Sequence, residues 1–547
     1  MARLEVAHVA KRSASAWKVK DQWRDLRSSA YELALPMRNL YQSSAGGKNA
    51  KQTPGARKMN HVFDSTLMVM TVRLANRLQS ELTPPFMKWA KLIPGAFIPE
   101  ENKGEVQKKL DGLNDAMFAA IHVSNFDTAI NEFYLDLAVG TGVMMVMKGD
   151  DEMPIRYICV PQAQVALEEG PWGGINGLFR RHSMAIRLIE EHWTGFDLIK
   201  PEGFEKMLKD KPEQEINLVE ATYYDAKEDL WYYDVIWEGP ATGGKKKDHM
   251  RLIEADFVES PWIVARWIKV AGEVEGRGPV LFALPDAKTL NKLKELVLMN
   301  ASIAVSGVWT ATDDGVLNPN TVKIIPGAVI PVARNGGALG ASLQSLTSGA
   351  DFNVATLIAE DLKDSIKKIM MDNTLPEQQG TPPSATEMIA RIKELQTDIG
   401  SPFGRLMTEL IRPLVQKTLN MLGEMKIIQI SQGQRIKVNG GTVDVQVQSP
   451  LAQSQNLTEV QTAIQWFTIV QSLGEEAFLL GVNIEDAPEW IGRKLGVASE
   501  LMRTPEQRLQ AQKMIGAMAA QQQNENQPGG GGAIPANNQG GTLAAAA

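Results

Sequence analysis

Residues able to do chemistry are sparse in this 547-residue chain. Asp150-Asp151-Glu152 and Asp313-Asp314 are acidic runs of the kind divalent cations favour. Such ions want six or more oxygens, and both runs sit among turn residues, so solvated turns are the plainer reading. The six histidines (His8, His61, His122, His182, His192 and His249) form no H-E-x-x-H or other close pair. His192, after Glu190-Glu191, is the best metal candidate, but zinc needs three or four convergent ligands, and an exposed helix end explains it as well. Gly46-Gly47-Lys48-Asn49 lacks the earlier glycine and the terminal Ser/Thr of a phosphate-binding loop, so no nucleotide hydrolysis is expected. Gly276-Arg277-Gly278-Pro279 is not a dinucleotide fingerprint, and no G-x-S-x-G elbow exists. Cys159 is the only cysteine, which excludes an intramolecular disulfide and suits a reducing cytoplasm. Its neighbours Tyr157-Ile158-Cys159-Val160 read as a buried strand. The expectation is no catalytic residue, no metal and no cofactor.

One charged constellation stands out. Glu360, Lys363, Asp364, Lys367 and Lys368 lie off the apolar face of an expected helix, Phe352–Met371. They read either as a solvated face with pairs such as Asp364–Lys368, or as a face on which lysines meet DNA phosphates and acids dilute the grip. The basic stretch Gly46–Lys58 reads as a surface loop or as a contact for DNA or an assembly partner.

The elements around these residues follow from periodicity. Residues 3–40 look helical. Met59, Phe63, Leu67, Met70, Leu74, Leu78 and Leu82 recur every three or four positions, which predicts an amphipathic helix stopped by Pro84-Pro85. Two helices are expected over 103–140. From Gly142 to Trp267, β-branched and aromatic runs (Met153–Val160, Ile175–Ser183, Leu218–Tyr224, Trp231–Trp237, Trp262–Ile268) predict a mixed sheet with one helix near Ala185–Trp193. Asp286–Ala304 is an expected helix with Leu290, Leu293, Val297, Ala301 and Ala304 on one face; Phe352–Met371 turns Leu357, Ile358, Leu362, Ile366 and Ile369 inward. Between them, 306–350 is rich in turn residues and Val. After a proline-rich loop at 372–383, the capping box Ser384-Ala385-Thr386-Glu387 opens a long helix. Gly400-Ser401-Pro402 and Pro413 predict a kink in it. Strands at Lys426–Ile430 and Thr442–Gln448 and helices near Ala452–Leu473 and Pro505–Ala519 follow. The Gln/Asn/Gly/Ala-rich tail 521–547 is too polar to order itself.

Apolar residues make up 44% of the chain and charged ones 22%, enough for a sizeable core in about three domains or one elaborated subunit. The net charge of −7 does not describe a free DNA-coating protein. It is uneven: residues 1–60 hold 12 Lys/Arg against four acids. Met1-Ala2-Arg3-Leu4-Glu5 does not read as a signal peptide, and no stretch approaches the ~20 apolar residues of a membrane span.

Four segments together resemble the podovirus head-to-tail connector, or portal, family. His61-Val62-Phe63-Asp64-Ser65-Thr66, leading to Asn76-Arg77-Leu78 and Leu82-Thr83-Pro84-Pro85, is similar to its first signature. Gly276-Arg277-Gly278-Pro279 with Leu284-Pro285-Asp286 and Thr289-Leu290-Asn291 resembles the second. Ala385-Thr386-Glu387 with Arg391 and Glu394, then Glu409-Leu410 and Pro413-Leu414, resembles the third, and Ser449-Pro450-Leu451-Ala452-Gln453-Ser454-Gln455 the fourth. They occur in the family's order over residues 60 to about 460. Glu275 departs from the pattern, standing where the family has an aromatic, as do Ser384 and Ser454.

The resemblance implies an α+β portal fold. Residues 1–285 become N-terminal helices and a mixed α/β wing, 286–304 and 351–371 a helical stem, and 305–350 a small β-rich clip. Residues 372–383 become a tunnel loop, 384–480 the long kinked helix and the rest of the wing, and 481–520 a helical crown. It implies a homo-dodecamer at one capsid vertex of the virion, assembled in the host cytoplasm. Double-stranded DNA would pass through it, and its partners would be a terminase motor, a tail adaptor, and the major capsid and scaffolding proteins. Glu360, Lys363, Asp364, Lys367 and Lys368 become channel residues. Asn373, Pro376, Gln378, Gln379 and Pro382 belong to the tunnel loop. Asp313, Asp314, Asn318 and Asn320 belong to the docking clip. Twelve copies at −7 carry −84, which discourages DNA from sticking as it slides. The alternatives are a capsid or tail structural protein without a DNA channel, and a nucleic-acid enzyme of the packaging apparatus, which the missing nucleotide and metal motifs disfavour.

Overall fold

The structure, a computed structural model, describes residues 3–41, 55, 58–150, 152–239, 249–306, 308–311, 343–346, 352–372, 402–428, 436–447, 450–474 and short runs between 478 and 514. The chain divides into two compact units, Met1–Leu451 and Ala452–Ala547. The architecture is α+β, as expected.

The N-terminal helical region is two helices, α1 (Val6–Asp21) and α2 (Arg24–Ala34), with a 3-10 turn at Pro36–Arg38. Helix α3 (Thr66–Leu82) buries Leu67, Met70, Leu74, Leu78 and Leu82, the expected stripe. Met59 and Phe63 lie ahead of it, a correction with a local cause: Asp64 Oδ1 accepts the Thr66 N–H at 2.8 Å, which fixes the start of the helix. The expected pair over 103–140 is α4 (Glu100–Val123) and α5 (Phe126–Val139). Asn125 separates them by exchanging two hydrogen bonds with the backbone of Tyr157, at 2.7 and 2.9 Å.

Strand β1 (Ala90–Pro94) pairs antiparallel with β14 (Val443–Val447), tying the segment before α4 to the last strand of the larger unit. A short antiparallel pair, β10 (Ile268–Lys269) with β11 (Gly276–Arg277), precedes Pro279. Strands β2 (Thr141–Lys148), β3 (Ile155–Cys159) and β9 (Trp262–Arg266) form a three-stranded sheet with β2 central. The second sheet is a five-stranded antiparallel meander: β4 (Val165–Glu169), β5 (Ile175–Ala185), β6 (Glu215–Asp225), β7 (Leu230–Glu238) and β8 (His249–Phe257). One face carries α1, whose Val9, Ala16 and Trp17 pack on Phe179, Val219 and Ile236. The other covers a core of Tyr233, Trp237 and Trp262 with two short helices, α6 (Leu188–His192) and α7 (Glu202–Asp210). Cys159 lies in β3 but is only partly buried. Asp150 is a turn residue, accepting Met153 N–H at 2.8 Å and pairing with Arg156.

Helix α8 (Pro279–Ser306) is longer than the expected 286–304 and carries Pro285 inside it; its 28 residues span about 42 Å. Helix α9 (Phe352–Ile369) returns antiparallel, with Ser365 Oγ donating to Asp286 Oδ2 at 2.6 Å. Their far ends are joined through a two-stranded ladder, β12 (Val308–Ala311) with β13 (Leu343–Leu346). Past Pro402 the chain is helical through a π-helical turn, Met407–Ile411, into α10 (Arg412–Glu424). Pro413 therefore lies inside a continuous helical run, directly after the π-helical turn, which accommodates its ring and missing N–H. Lys426–Ile428 form a turn rather than the expected strand. In the smaller unit, α11 (Pro450–Ser472) matches the expected helix near 452–473, and α12 (Ala487–Leu495) follows. The expected helices at 384–401 and, for the most part, 505–519, and the tail 521–547, lie outside the described residues.

The larger unit closes where β2 begins. A Cβ on Gly276 would stand 2.3 Å from the Gly140 carbonyl oxygen, one on Gly140 2.2 Å from that of Gly276, and one on Gly278 2.1 Å from that of Ala138. Only glycine fits at such approaches. The buried Arg27 side chain donates to the carbonyls of Val139 (2.7 Å) and Gly276 (2.6 Å). Glu275 accepts from Lys20 at 2.7 Å, Gln162 at 2.9 Å and Arg27 at 3.4 Å, all buried. Burial lowers the Lys20 pKa, and the Glu275 carboxylate opposes that shift. The Glu275 departure from the family pattern thus has a physical role: it balances two buried cations from the N-terminal helices. Replacing Gly278 by Ala should lower unfolding stability by about 3 kcal/mol, with an unchanged denaturant slope in urea titration.

Candidate conduit helices and their anchorage

Helix α9 carries Glu360, Lys363, Asp364, Lys367 and Lys368, all exposed or half-exposed. Positions 360, 363, 364 and 367 follow the spacing that places residues on one helix face. The ion pair on this face is Lys367 with Asp364, at 3.0 Å, rather than the expected Asp364–Lys368. With Asp361, the helix holds three acids and three lysines here, so the face presents both signs and no net charge. On α8, Lys292 pairs with Glu295 at 3.0 Å, again in water. This chemistry is contact without tight attachment: a polyanion meets cations, and neighbouring carboxylates weaken the hold.

The apolar face of α9 is not inward along its whole length, contrary to expectation. Ile366 is buried and Leu362 and Ile369 are half-buried, but Leu357 is 69% exposed and Ile358 and Val354 are also exposed. On α8, Leu290 is buried and Leu293 and Val297 half-buried, while Leu296, Leu298 and Met299 are exposed. The helices are covered near Asp286 and bare toward the β12–β13 ladder.

Their covered ends are tied down by residues that the sequence marks only as signatures. Asn291 of α8 accepts from the Phe63 and Asp64 N–H groups at 2.7 and 3.1 Å, and donates to the His61 carbonyl at 2.9 Å. The buried Asp64 adds an ion pair with Lys294 at 2.6 Å. Burial alone would raise the Asp64 pKa, but Lys294 and the Thr66 hydroxyl and N–H outweigh it, and the net direction is down. Helix α9 ends in a Schellman motif: Met371 N–H reaches Lys368 O at 3.0 Å and Asp372 N–H reaches Lys367 O at 2.9 Å. Met371 takes the left-handed place usually held by glycine, with φ +58°, at a cost of about 1 kcal/mol. Two arginines of α3 hold this end: Arg77 donates to Met371 O at 2.6 Å, and Arg73 pairs with Asp372 at 3.0 Å. In the sequence Arg77 stands in a motif with no sign of this role; the available signal is a cation between three and four helical turns past Asp64, which starts the helix.

Glu409, in the π-helical turn, accepts from Arg266 through N–H (2.9 Å) and Nη2 (2.7 Å), and joins the helical run 402–424 to β9. His192 stacks edge-on against Trp193. Among the described residues, no three His, Cys, Asp or Glu side chains converge as metal ligands do, and no helix is long and apolar enough to cross a membrane. Asp313, Asp314, Asn318 and Asn320, the loop residues Asn373, Pro376, Gln378, Gln379 and Pro382, and most of Gly46–Lys58 lie outside the described residues.

The sequence pattern of the family described as bacteriophage head to tail connecting protein matches residues 6–502. A probable portal protein of Bordetella phage BPP-1 is 24% identical over 472 residues, 82% of this chain and 81% of that protein. The portal protein of Escherichia phage T7 is 21% identical over 383 residues, 68% of this chain and 65% of that protein. The neck of a native gene transfer agent particle, computed with C12 symmetry, contains a chain with 11% identity and a TM-score of 0.30, aligned over 78% of this chain and 92% of that one.

Replacing Asp64 by Asn should cost about 2 kcal/mol at neutral pH, the usual scale for a hydrogen bond to a charged group. A carboxylate whose pKa is depressed on folding contributes above its unfolded value of 3.8 and loses that contribution as pH falls through the lower folded value. The stability gap between parent and variant, read by urea titration, should therefore be constant above pH 5 and close below 3.8.

Proposed function

The chain belongs to the family of bacteriophage head-to-tail connecting proteins and is a portal, a virion component; from that membership we propose that twelve copies close into a ring at one capsid vertex of a short-tailed phage. Double-stranded DNA passes through the ring during packaging and ejection. In this reading α8 and α9 form the stem, and Glu360, Lys363, Asp364, Lys367 and Lys368 line the channel. Their mixed signs let phosphates pass without arrest, because attraction to a lysine is offset by acids of the same face. Asp313, Asp314, Asn318 and Asn320 belong to a clip that docks the terminase motor and tail adaptor. Asn373, Pro376, Gln378, Gln379 and Pro382 belong to a loop facing the tunnel. Capsid and scaffolding proteins surround the ring, which assembles in the host cytoplasm. The energy for moving DNA comes from the motor, since the sequence carries no phosphate-binding loop.

The observation that supports assembly is the bare apolar face of the helix pair. Val354, Leu357 and Ile358 on α9, and Leu296, Leu298 and Met299 on α8, are exposed in a single chain. Exposed apolar side chains gathered on one helix pair are surface that a protein partner can cover, and covering it returns roughly 25 cal/mol per Å2. On α9, Val354 and Ile358 lie away from Glu360, Lys363 and Lys367, while Leu357, three residues before Glu360, borders them; a neighbour can cover the apolar side while those three stay open. Replacing both Leu357 and Ile358 by Glu should leave the circular dichroism spectrum intact and convert the sedimenting species from a large assembly to a monomer. An unchanged sedimentation profile would contradict this reading.

A further inference from the structure

A cavity of about 540 Å3 opens between the tip of the β4–β5 hairpin, β9 and the helical run 402–424. Trp231, Trp262, Leu178 and Ile263 form an apolar part of its wall. At its rim stands Trp172, 97% exposed. It is held on a tight turn in which Gly170 N–H bonds Gly174 O at 2.8 Å and Gly173 N–H bonds Gly170 O at 3.1 Å. A rigidly presented, solvated indole is the kind of side chain that anchors protein interfaces.

The polar part of the wall is out of balance. Arg266, Lys269, Arg405 and Lys417 line the cavity with one carboxylate, Glu409. Glu409 is shared between Arg266 (2.7 Å) and Arg405 (3.0 Å), and Lys269 takes Glu169 from just outside. Lys417 donates to the Ser260 carbonyl. Glu259, the carboxylate that acts on Lys417 electrostatically, already accepts from Gln416 at 2.5 Å and Asn420 at 2.9 Å. Four cations thus face three carboxylates, Glu409, Glu169 and Glu259, beside aromatic surface. Burial lowers the Lys417 ammonium to about 8, with Glu259 opposing; an entering anion would repay that desolvation.

We propose that this cavity binds an acidic peptide segment of a partner protein, setting a carboxylate against Lys417 and Arg405 and an aromatic side chain against Trp172. The volume lies in the ordinary range of ligand pockets, which admits a few side chains and excludes a nucleic-acid duplex. Charge complementarity fixes the sign of the occupant, and the tryptophans fix its apolar partner. The inference does not depend on the ring: the cavity is built within one chain.

The test is fluorescence anisotropy of the purified full chain with a fluorescein-labelled hexapeptide, Gly-Ser-Asp-Phe-Asp-Gly, and its counterpart with Asn for both Asp. The Asp peptide should bind at least tenfold more tightly than the Asn peptide, and more weakly as salt rises. Lys417→Met and Trp172→Ala should each weaken it at least tenfold. Trp172 is exposed, so its variant keeps the test open if Lys417→Met fails to fold. No binding of the Asp peptide, equal binding of the two peptides, or unchanged binding by Trp172→Ala would overturn the proposal. So would displacement of the labelled peptide by inorganic phosphate as effective as that by unlabelled peptide, which would mark a plain anion site.

Discussion

The rest of the larger unit depends on backbone running against backbone at Gly140, Gly276 and Gly278. With no Cβ at these positions, the segment leading into α8 can lie on the end of α5 and the start of β2, where Gly276 N–H bonds the Thr141 hydroxyl at 2.9 Å and Gly278 N–H bonds Val139 O at 3.1 Å. Arg27 sits across this seam with its guanidinium on the carbonyls of both sides. A long helix leaves the seam in a fixed direction because its first residues have no freedom to leave in another. Its direction is then held a second time, three turns on, by Asn291 and Lys294.

Fixed at one end and bare at the other is a construction that suits the proposed ring, in which copies of the chain cover each other's exposed helix surface. Ion pairs and capping bonds set where α8 and α9 begin and end, at a scale of a few kcal/mol. The apolar surface beyond them is left for a larger gain that comes with association. The charged face of α9 carries both signs, so it supplies little of either stability or attachment. In the proposed ring it stays wet while the apolar side is covered.

Much of this was legible in the sequence. The apolar stripe Leu67–Leu82, the α4–α5 pair, the strands around Tyr223 and Trp231, and the helix–turn–helix order of 286–371 all follow from periodicity. The segments that escaped did so for identifiable reasons. Strand β2 is buried on both faces, so it lacks the alternation that marks a half-buried strand. The start of α3 at Thr66 was set by a side-chain bond from Asp64, which overrides an apolar period extending back to Met59. Pro413 predicted a kink, but the π-helical turn before it absorbs the misfit. The roles of Asn291, Arg77 and Glu275 were invisible because each partner lies hundreds of residues away in the chain: His61, Met371 and Lys20 respectively. Signature motifs marked Asn291 and Arg77, and Glu275 only as a departure; the fold says what they hold.

In the proposed ring, α8 and α9 meet a neighbouring copy through their exposed apolar side chains, and α9 turns Glu360, Lys363 and Lys367 to a channel. Electron cryomicroscopy of particles formed by the purified chain, at side-chain resolution, tests it most directly. The expected result is a twelve-membered ring in which Leu357 and Ile358 are buried against the adjacent subunit while Glu360, Lys363 and Lys367 point into the lumen. A ring whose lumen is lined by another element, with Leu357 and Ile358 still in water, would contradict it.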